Sequence, residues 1–378
     1  MSLLDELNRP KPAGDYDLGV SGGTFQNVKF DTPVKSLDDI LVRLNIDPDA
    51  FEIDGTSVRV SSWQTSKRTD DGDRDVITLY SYRGNIIPRR DTINLPALYA
   101  EVARTKHRPM KPKSGESTVV VCWADVQTGK VDHHGTTADL LERLEDKRAA
   151  LNRHLKASSF SRIIVADVGD IVEGIENTSS QLGTNDLSLM DQVDVAATEF
   201  WKTIRLCARF APVDVLSIPS NHAQWRRGKG LLGKPTDDWG LHISLRLERM
   251  ADEVGLPVTF HRPADWNETL VFDVAGTRLG LAHGHQSAGP NGVTAWWAKM
   301  VHSGLLDCHI LLTGHFHFPH IQPSGRTSDG RSKWHLQAPT LDNGSAWVAN
   351  KMGEDGDPGL MVFQIDANGF NFQSLTVL

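Results

Sequence analysis

Five short apolar runs, each ending in Asp, Asn or His, constrain this chain more than any other feature. Val119-Val120-Val121-Cys122-Trp123-Ala124 runs into Asp125-Val126-Gln127. Ile163-Ile164-Val165-Ala166 leads to Val168-Gly169-Asp170, and the run from Val213 to Pro219 leads to Ser220-Asn221-His222. Leu279-Gly280-Leu281-Ala282 ends in His283-Gly284-His285, and Leu311-Leu312-Thr313 ends in Gly314-His315-Phe316-His317. Runs of this length without polar alternation are typical of strands buried on both faces. Ligand sites of open α/β sheets gather just beyond the C-terminal ends of such strands. His315 and His317 are two residues apart, so on an extended backbone their imidazoles leave in the same direction. Neutral imidazole is the commonest protein metal ligand, so the pattern reads as one metal site assembled from several strand ends.

Helical segments alternate with these runs. Thr136 or Thr137 caps a helix from Asp139 to about Leu155, with Leu140, Leu141, Leu144, Leu151 and Leu155 near helical period. Asp186 to Phe210 repeats the pattern with Leu189, Val193, Ala197, Phe200, Ile204 and Cys207. Such stripes face a core. Beyond His317 the chain returns to β at Lys333–Ala338, Gly359–Ile365 and Gly369–Val377, with Asn368-Gly369 as a hairpin signal. Residues 117–378 therefore form one α/β domain. Upstream, residues 1–30 read as an irregular arm, rich in Pro, Gly, Asp and Asn from residue 9 on. Residues 31–103 read as a small α+β domain, with a capped helix at Ser36–Leu44 and strands at Phe51–Trp63 and Val76–Arg83. The polar stretch Lys67–Asp75 reads as a solvated hairpin connection, and residues 104–116 as a basic, proline-interrupted linker.

Composition narrows the function. A formal net charge of −8 over 378 residues argues against a uniformly basic nucleic-acid binder while leaving room for local basic patches. No stretch approaches the roughly 18 apolar residues of a membrane span. The acidic start Met1-Ser2-Leu3-Leu4-Asp5-Glu6-Leu7 has no secretory core. Cys122, Cys207 and Cys308, odd in number and set in apolar runs, read as reduced core thiols. Together these predict a cytoplasmic protein.

The order Asp-x-Gln, Gly-Asp, Asn-His, His-Gly and Gly-His-x-His over residues 117–320 resembles the calcineurin-like metallophosphoesterase superfamily. The resemblance implies a four-layer α/β/β/α sandwich of two mixed sheets, here with the small α+β appendage in front. It implies two divalent metal ions, with Asp170 bridging them. Asp125, Gln127 and His317 would complete one site, and Asn221, His283 and His315 the other. Oxygen ligands mixed with imidazole suit manganese first, with iron, zinc or magnesium as alternatives. His222 would stay outside the coordination shell and act on the leaving oxygen or on transition-state charge. Two departures stand out. Gln127 replaces the family's usual His, and Ala223 replaces the Asp or Glu that often follows His222.

Substrate is read from the neighbouring loop. Gln224-Trp225-Arg226-Arg227-Gly228-Lys229-Gly230-Leu231-Leu232-Gly233-Lys234 carries four cations and no acid directly after His222. Trp225, Arg226, Arg227 and Lys229 suit the flanking phosphates and bases of a polynucleotide. Trp296-Trp297 could stack on bases or fill a core. His134 (beside His133) and His285 are further substrate candidates, although exposed loop histidines are the default at 133–134 and His285 is not among the ligands the resemblance implies. Taken singly, Asp125 and Asp170 also suit helix caps, and Asn221 a turn.

Around Gln127-Thr128-Gly129-Lys130 and residues 331–348 the chain is most similar to DNA-repair nucleases of the SbcD type, especially phage-encoded ones. That similarity implies DNA as substrate, an SbcC-like ATPase partner, a homodimer, and the host cytoplasm as location if phage-encoded. A small-nucleotide phosphodiesterase or phosphatase, and a non-catalytic DNA-binding scaffold on the same fold, are the alternatives.

Overall fold

The structure is a computed structural model that describes residues 14–19, 22–30, 32–48, 51–68, 74–88, 115–177, 181, 183–228, 230–328, 330–353 and 356–378. The chain divides into two compact units, Met1–Asn94 and Leu95–Leu378. The expected linker at 104–116 lies almost wholly outside the described residues, as does Lys229.

In the first unit, β1 (Asp15–Gly19) and β2 (Gly22–Phe30) form an antiparallel hairpin. Helix α1 (Asp38–Arg43), β3 (Phe51–Ile53), β4 (Arg59–Arg68) and β5 (Arg74–Pro88) follow, and β5 pairs with β2, β3 and β4. The irregular arm expected over residues 1–30 is thus corrected for residues 15–30. The alternation that would have marked β2 is broken by a register shift between Phe25 and Val28, where Asn27 takes φ 58. An extra residue of this kind puts Phe25 and Val28, three apart, on one buried face. Ile40, Leu41 and Leu44 of the α1 region close the same core. The expected strand from Phe51 to Trp63 is two strands, parted by a turn in which Asp54 accepts from Thr56 N at 2.9 Å.

The second unit begins with β6 (Thr118–Trp123), α2 (Thr137–Ala157), β7 (Arg162–Asp167), α3 (Leu189–Ala208) and β8 (Val213–Ser217). A two-stranded ribbon of β9 (Arg226–Arg227) and β10 (Gly230–Leu231) precedes α4 (Trp239–Val254) and β11 (Val258–His261). Then come β12 (Leu270–Val274), β13 (Thr277–Leu281), α5 (Val293–His302), β14 (Ile310–Thr313), β15 (His320–Arg326) and β16 (Ser332–Gln337). Helix α6 (Ala346–Met352), β17 (Met361–Asp366) and β18 (Gly369–Val377) complete it.

Two mixed sheets result, ordered β11-β8-β7-β6-β17-β18 and β12-β13-β14-β16-β15. In the first, β11, β8, β7 and β6 are parallel; in the second, β13, β14 and β16 are parallel. The continuous apolar runs follow from burial on both faces. Val119, Val121 and Trp123 pack with Leu140, Leu144, Phe200 and Leu247 of the helices, while Val120, Cys122 and Ala124 pack with Leu279, Leu281 and Leu312 of the other sheet. Beyond the second sheet, Leu311, Cys308 and Phe316 pack against Val293 and Trp297 of α5. The layers are therefore helices, sheet, sheet, helix. Truncating a side chain between the sheets, such as Leu312, costs about 2–5 kcal/mol. Cys122, Cys207 and Cys308 are buried free thiols. No helix among the described residues is long and apolar enough to cross a membrane.

Candidate metal centre

The parallel strands place their C-terminal ends side by side, and the loops zip together beyond them. Asp125 N donates to Gly169 O at 3.1 Å, and Gln127 N to Asp170 O at 2.7 Å. In the other sheet Gly314 N donates to His283 O at 2.9 Å, and across the sheets His315 N donates to Asp125 Oδ1 at 3.0 Å. This approach requires two glycines. A Cβ on Gly314 would lie 2.3 Å from Asp125 Oδ2, and one on Gly169 would lie 2.7 Å from His283 Nδ1.

Backbone strain concentrates at the same place. Among the described residues, nine other than glycine have positive φ, and five of them are candidate ligands: Asp125 (48°), Gln127 (44°), Asp170 (52°), His315 (71°) and His317 (68°). Each costs about 1–2 kcal/mol, which packing must offset.

Asp170, His283 and His315 present ligand atoms that all lie within 4.8 Å of one another. His283 Nδ1 donates to Val168 O at 2.7 Å, which turns Nε2 toward Asp170 Oδ2, 2.9 Å away. Although so close, neither atom has a hydrogen-bond partner of proper geometry, and buried Asn221 Oδ1 has none either. Two atoms each about 2.1 Å from one ion and at right angles are about 3.0 Å apart, so the spacing and the unpartnered atoms suit a shared cation once His283 gives up its proton.

The other half is looser. His317 Nε2 lies 3.7 Å from Asp125 Oδ1, and His317 Nδ1 lies 3.4 Å from Asp342 Oδ2. Gln127 Oε1 accepts from the Lys130 ammonium at 2.6 Å. These donors are hard or borderline and suit a divalent ion.

Protonation follows the charges. Burial would raise Asp170, but His283 and His222 outweigh it and hold the carboxyl well below its usual range. Burial raises Asp125 to about 7, and lowers His317 to about 4 and His315 well below its ordinary value. His283 runs the other way: burial lowers it, yet Asp170 and Asp125 carry it to about 9.

His222 stands beside the centre, its Nε2 4.0 Å from Asp170 Oδ2. Its Nδ1 lies 3.0 Å from Glu173 Oε2 and 3.1 Å from Gln181 Nε2. Burial pulls its pKa down, but Asp170 and Glu173 raise it to about 9. Glu173 thus takes the place that Ala223, fully buried, leaves empty. The sequence offered one signal for Glu173, its position three residues after Asp170. It offered none for the pairing of Lys130 with Asp342.

The substrate candidates spread over the rim. Trp225 is 57% exposed at the foot of the β9–β10 ribbon, with Arg226 and exposed Arg227 on it. Lys234 is spent on Asp265 at 2.7 Å. Two residues before Glu268, Trp266 is 69% exposed with φ 74°, an indole the sequence reading missed. His285 Nε2 lies 3.7 Å from Glu268 Oε2, and its ring centroid 5.5 Å from that of His283. The His134 ring packs tilted against that of His133, centroids 4.2 Å apart, and its N donates to Asn343 O. Trp297 is core: buried, with Nε1 donating to Leu306 O at 3.1 Å.

No family model and no curated protein matches this sequence. Among solved structures, the chain is similar to Vps29 from Entamoeba histolytica complexed with zinc, at 12% identity over 69% of this chain and 97% of that one, TM-score 0.29. It is similar to a predicted phosphoesterase from Streptococcus pneumoniae, at 11% identity over 70% and 99%, TM-score 0.26. A metallophosphoesterase from Sphaerobacter thermophilus aligns at 12% identity over 69% and 88%, TM-score 0.29. At such TM-scores these likenesses support neither a site nor an activity; the fold stands on the sheet order and core described above.

Proposed function

We propose that this chain is a divalent-metal-dependent phosphodiester hydrolase acting on DNA. The observation that carries the hydrolase reading is the clustering of Asp170, His283 and His315, whose ligand atoms lie within 4.8 Å of one another, with buried Asp170 Oδ2 and His283 Nε2 lacking hydrogen-bond partners. Asp170 would bridge two ions, with Asp125, Gln127 and His317 on one and Asn221, His283 and His315 on the other. When bound, the ions would neutralise the phosphate and make water nucleophilic at neutral pH. His222 holds a proton at Nε2 and gives it to the leaving oxygen; Glu173 fixes the ring and supports its charge. Proton transfer from a positioned imidazole contributes about a hundredfold or more.

DNA is supported by the rim. Arg226 and Arg227 follow His222 by four and five residues, and Trp225 and Trp266 offer exposed faces for base stacking. The test replaces Arg226, Arg227 and Lys229 by Ala. DNA binding should weaken and its salt dependence flatten by about two to three contacts' worth of slope, with hydrolysis of a small chromogenic diester nearly unchanged. Unaltered DNA cleavage at every salt concentration would favour a small phosphodiester as substrate. No hydrolysis of either substrate by the metal-loaded protein would favour a scaffold.

A further inference from the structure

Lys130 is 6% exposed, and its ammonium donates to Gln127 Oε1 and to Asp342 Oδ2, each at 2.6 Å. Asp342 reaches His317 Nδ1 at 3.4 Å. The pair therefore touches two candidate ligands of the same half, and the oxygen that would face an ion already faces a cation. The Asp170–His283–His315 half is compact and is the acid–histidine group of metal-binding spacing among the described residues.

An ion on Gln127 Oε1 would lie at most about 5 Å from the ammonium, the hydrogen bond plus a metal–oxygen distance of about 2.1 Å. At an effective dielectric of about 20, a doubly and a singly charged cation that close repel by several powers of ten in affinity. Asp342, 2.6 Å from the ammonium and 3.4 Å from His317 Nδ1, offsets part of that repulsion.

We infer that Lys130 makes the two halves of the centre unequal: the Asp170–Asn221–His283–His315 half takes a divalent ion tightly, and the Gln127–His317 half takes one weakly, so that a phosphate-bearing substrate is needed to hold it there. This rests on the metal centre proposed above and adds to it a residue that sets occupancy. The choice of Gln rather than His at position 127 fits, because an amide oxygen can accept from an ammonium while an imidazole that ligates through one nitrogen offers it no second acceptor facing the same way.

The experiment is a manganese titration of the full chain without substrate, read by the electron paramagnetic resonance of free ion and by elemental analysis. The chain as it stands should bind one manganese tightly and a second at least about a hundredfold more weakly. Lys130→Met should bring the second to within about tenfold of the first and leave the first unchanged. Because Asp342 would then be buried unpaired, Lys130→Met/Asp342→Asn is measured beside it; it removes both charges and should also tighten the second site. Two equally tight ions in the unaltered chain, or a second site that is unchanged or weaker in both variants, would overturn the inference alone. Absence of any tight ion in all three proteins would overturn the metal centre as well.

Discussion

Glu173→Gln isolates the support given to His222 while keeping shape. Glu173 Oε2 lies 3.0 Å from His222 Nδ1, and the carboxylate is buried, so solvent screens it little. A hydrogen bond to a charged group is worth about 1.5–3 kcal/mol, and each 1.36 kcal/mol is tenfold, so turnover should fall about ten- to a hundredfold. The pH profile should move with it. Against the effect of burial, Asp170 and Glu173 hold His222 at about 9. A cation on Asp170 cancels that carboxylate's pull and leaves Glu173 as the main support. As an acid, His222 works below its pKa, so losing Glu173 lowers that pKa and moves the high-pH limb of kcat to lower pH. The assay is kcat against pH on a small chromogenic diester with saturating manganese, with metal content measured alongside. A variant with undiminished kcat and an unmoved limb would refute the role given to Glu173.

Three further outcomes are expected. His222→Ala should keep its metal content while turnover falls about a hundredfold or more; loss of metal would make His222 a ligand instead. Gly314→Ala should destabilise the fold by about 1–3 kcal/mol in urea denaturation, because its Cβ would meet Asp125 Oδ2 at 2.3 Å. Metal affinity, measured by chelator competition, should rise about tenfold per pH unit between pH 7 and 9 and then level off. The sign follows from His283, raised to about 9, which must lose its proton to ligate, whereas lowered His315 and His317 are already neutral.

Strands buried on both faces wrote themselves into the chain as unbroken apolar runs, so β6, β7, β8 and β14 were legible, and the polar residues closing each run stand together at the strand ends. The hairpin at residues 15–30 was not legible, because the register shift at Asn27 breaks its alternation and its glycines imitate a loop. Helix α4 escaped notice although Asp238 caps it and Gly255 ends it in the left-handed region. The polar partners of the centre are a different matter. Lys130 and Asp342 meet across 212 residues, and a lone lysine or aspartate carries no local sign of that pairing. Glu173 replaces an acid expected beside His222 from another segment altogether. Local pattern records which face a residue turns to the core, whereas ion pairing across sheets is decided only by tertiary packing.

Measuring tightly bound divalent metal in the purified chain and in Asp170→Ala puts the strand-end centre to its most direct test. The unaltered chain should retain at least one manganese through dialysis, and Asp170→Ala should retain none while still unfolding cooperatively. Equal metal retention by the two proteins would mean that the buried atoms of Asp170, Asn221 and His283 do not form a metal centre.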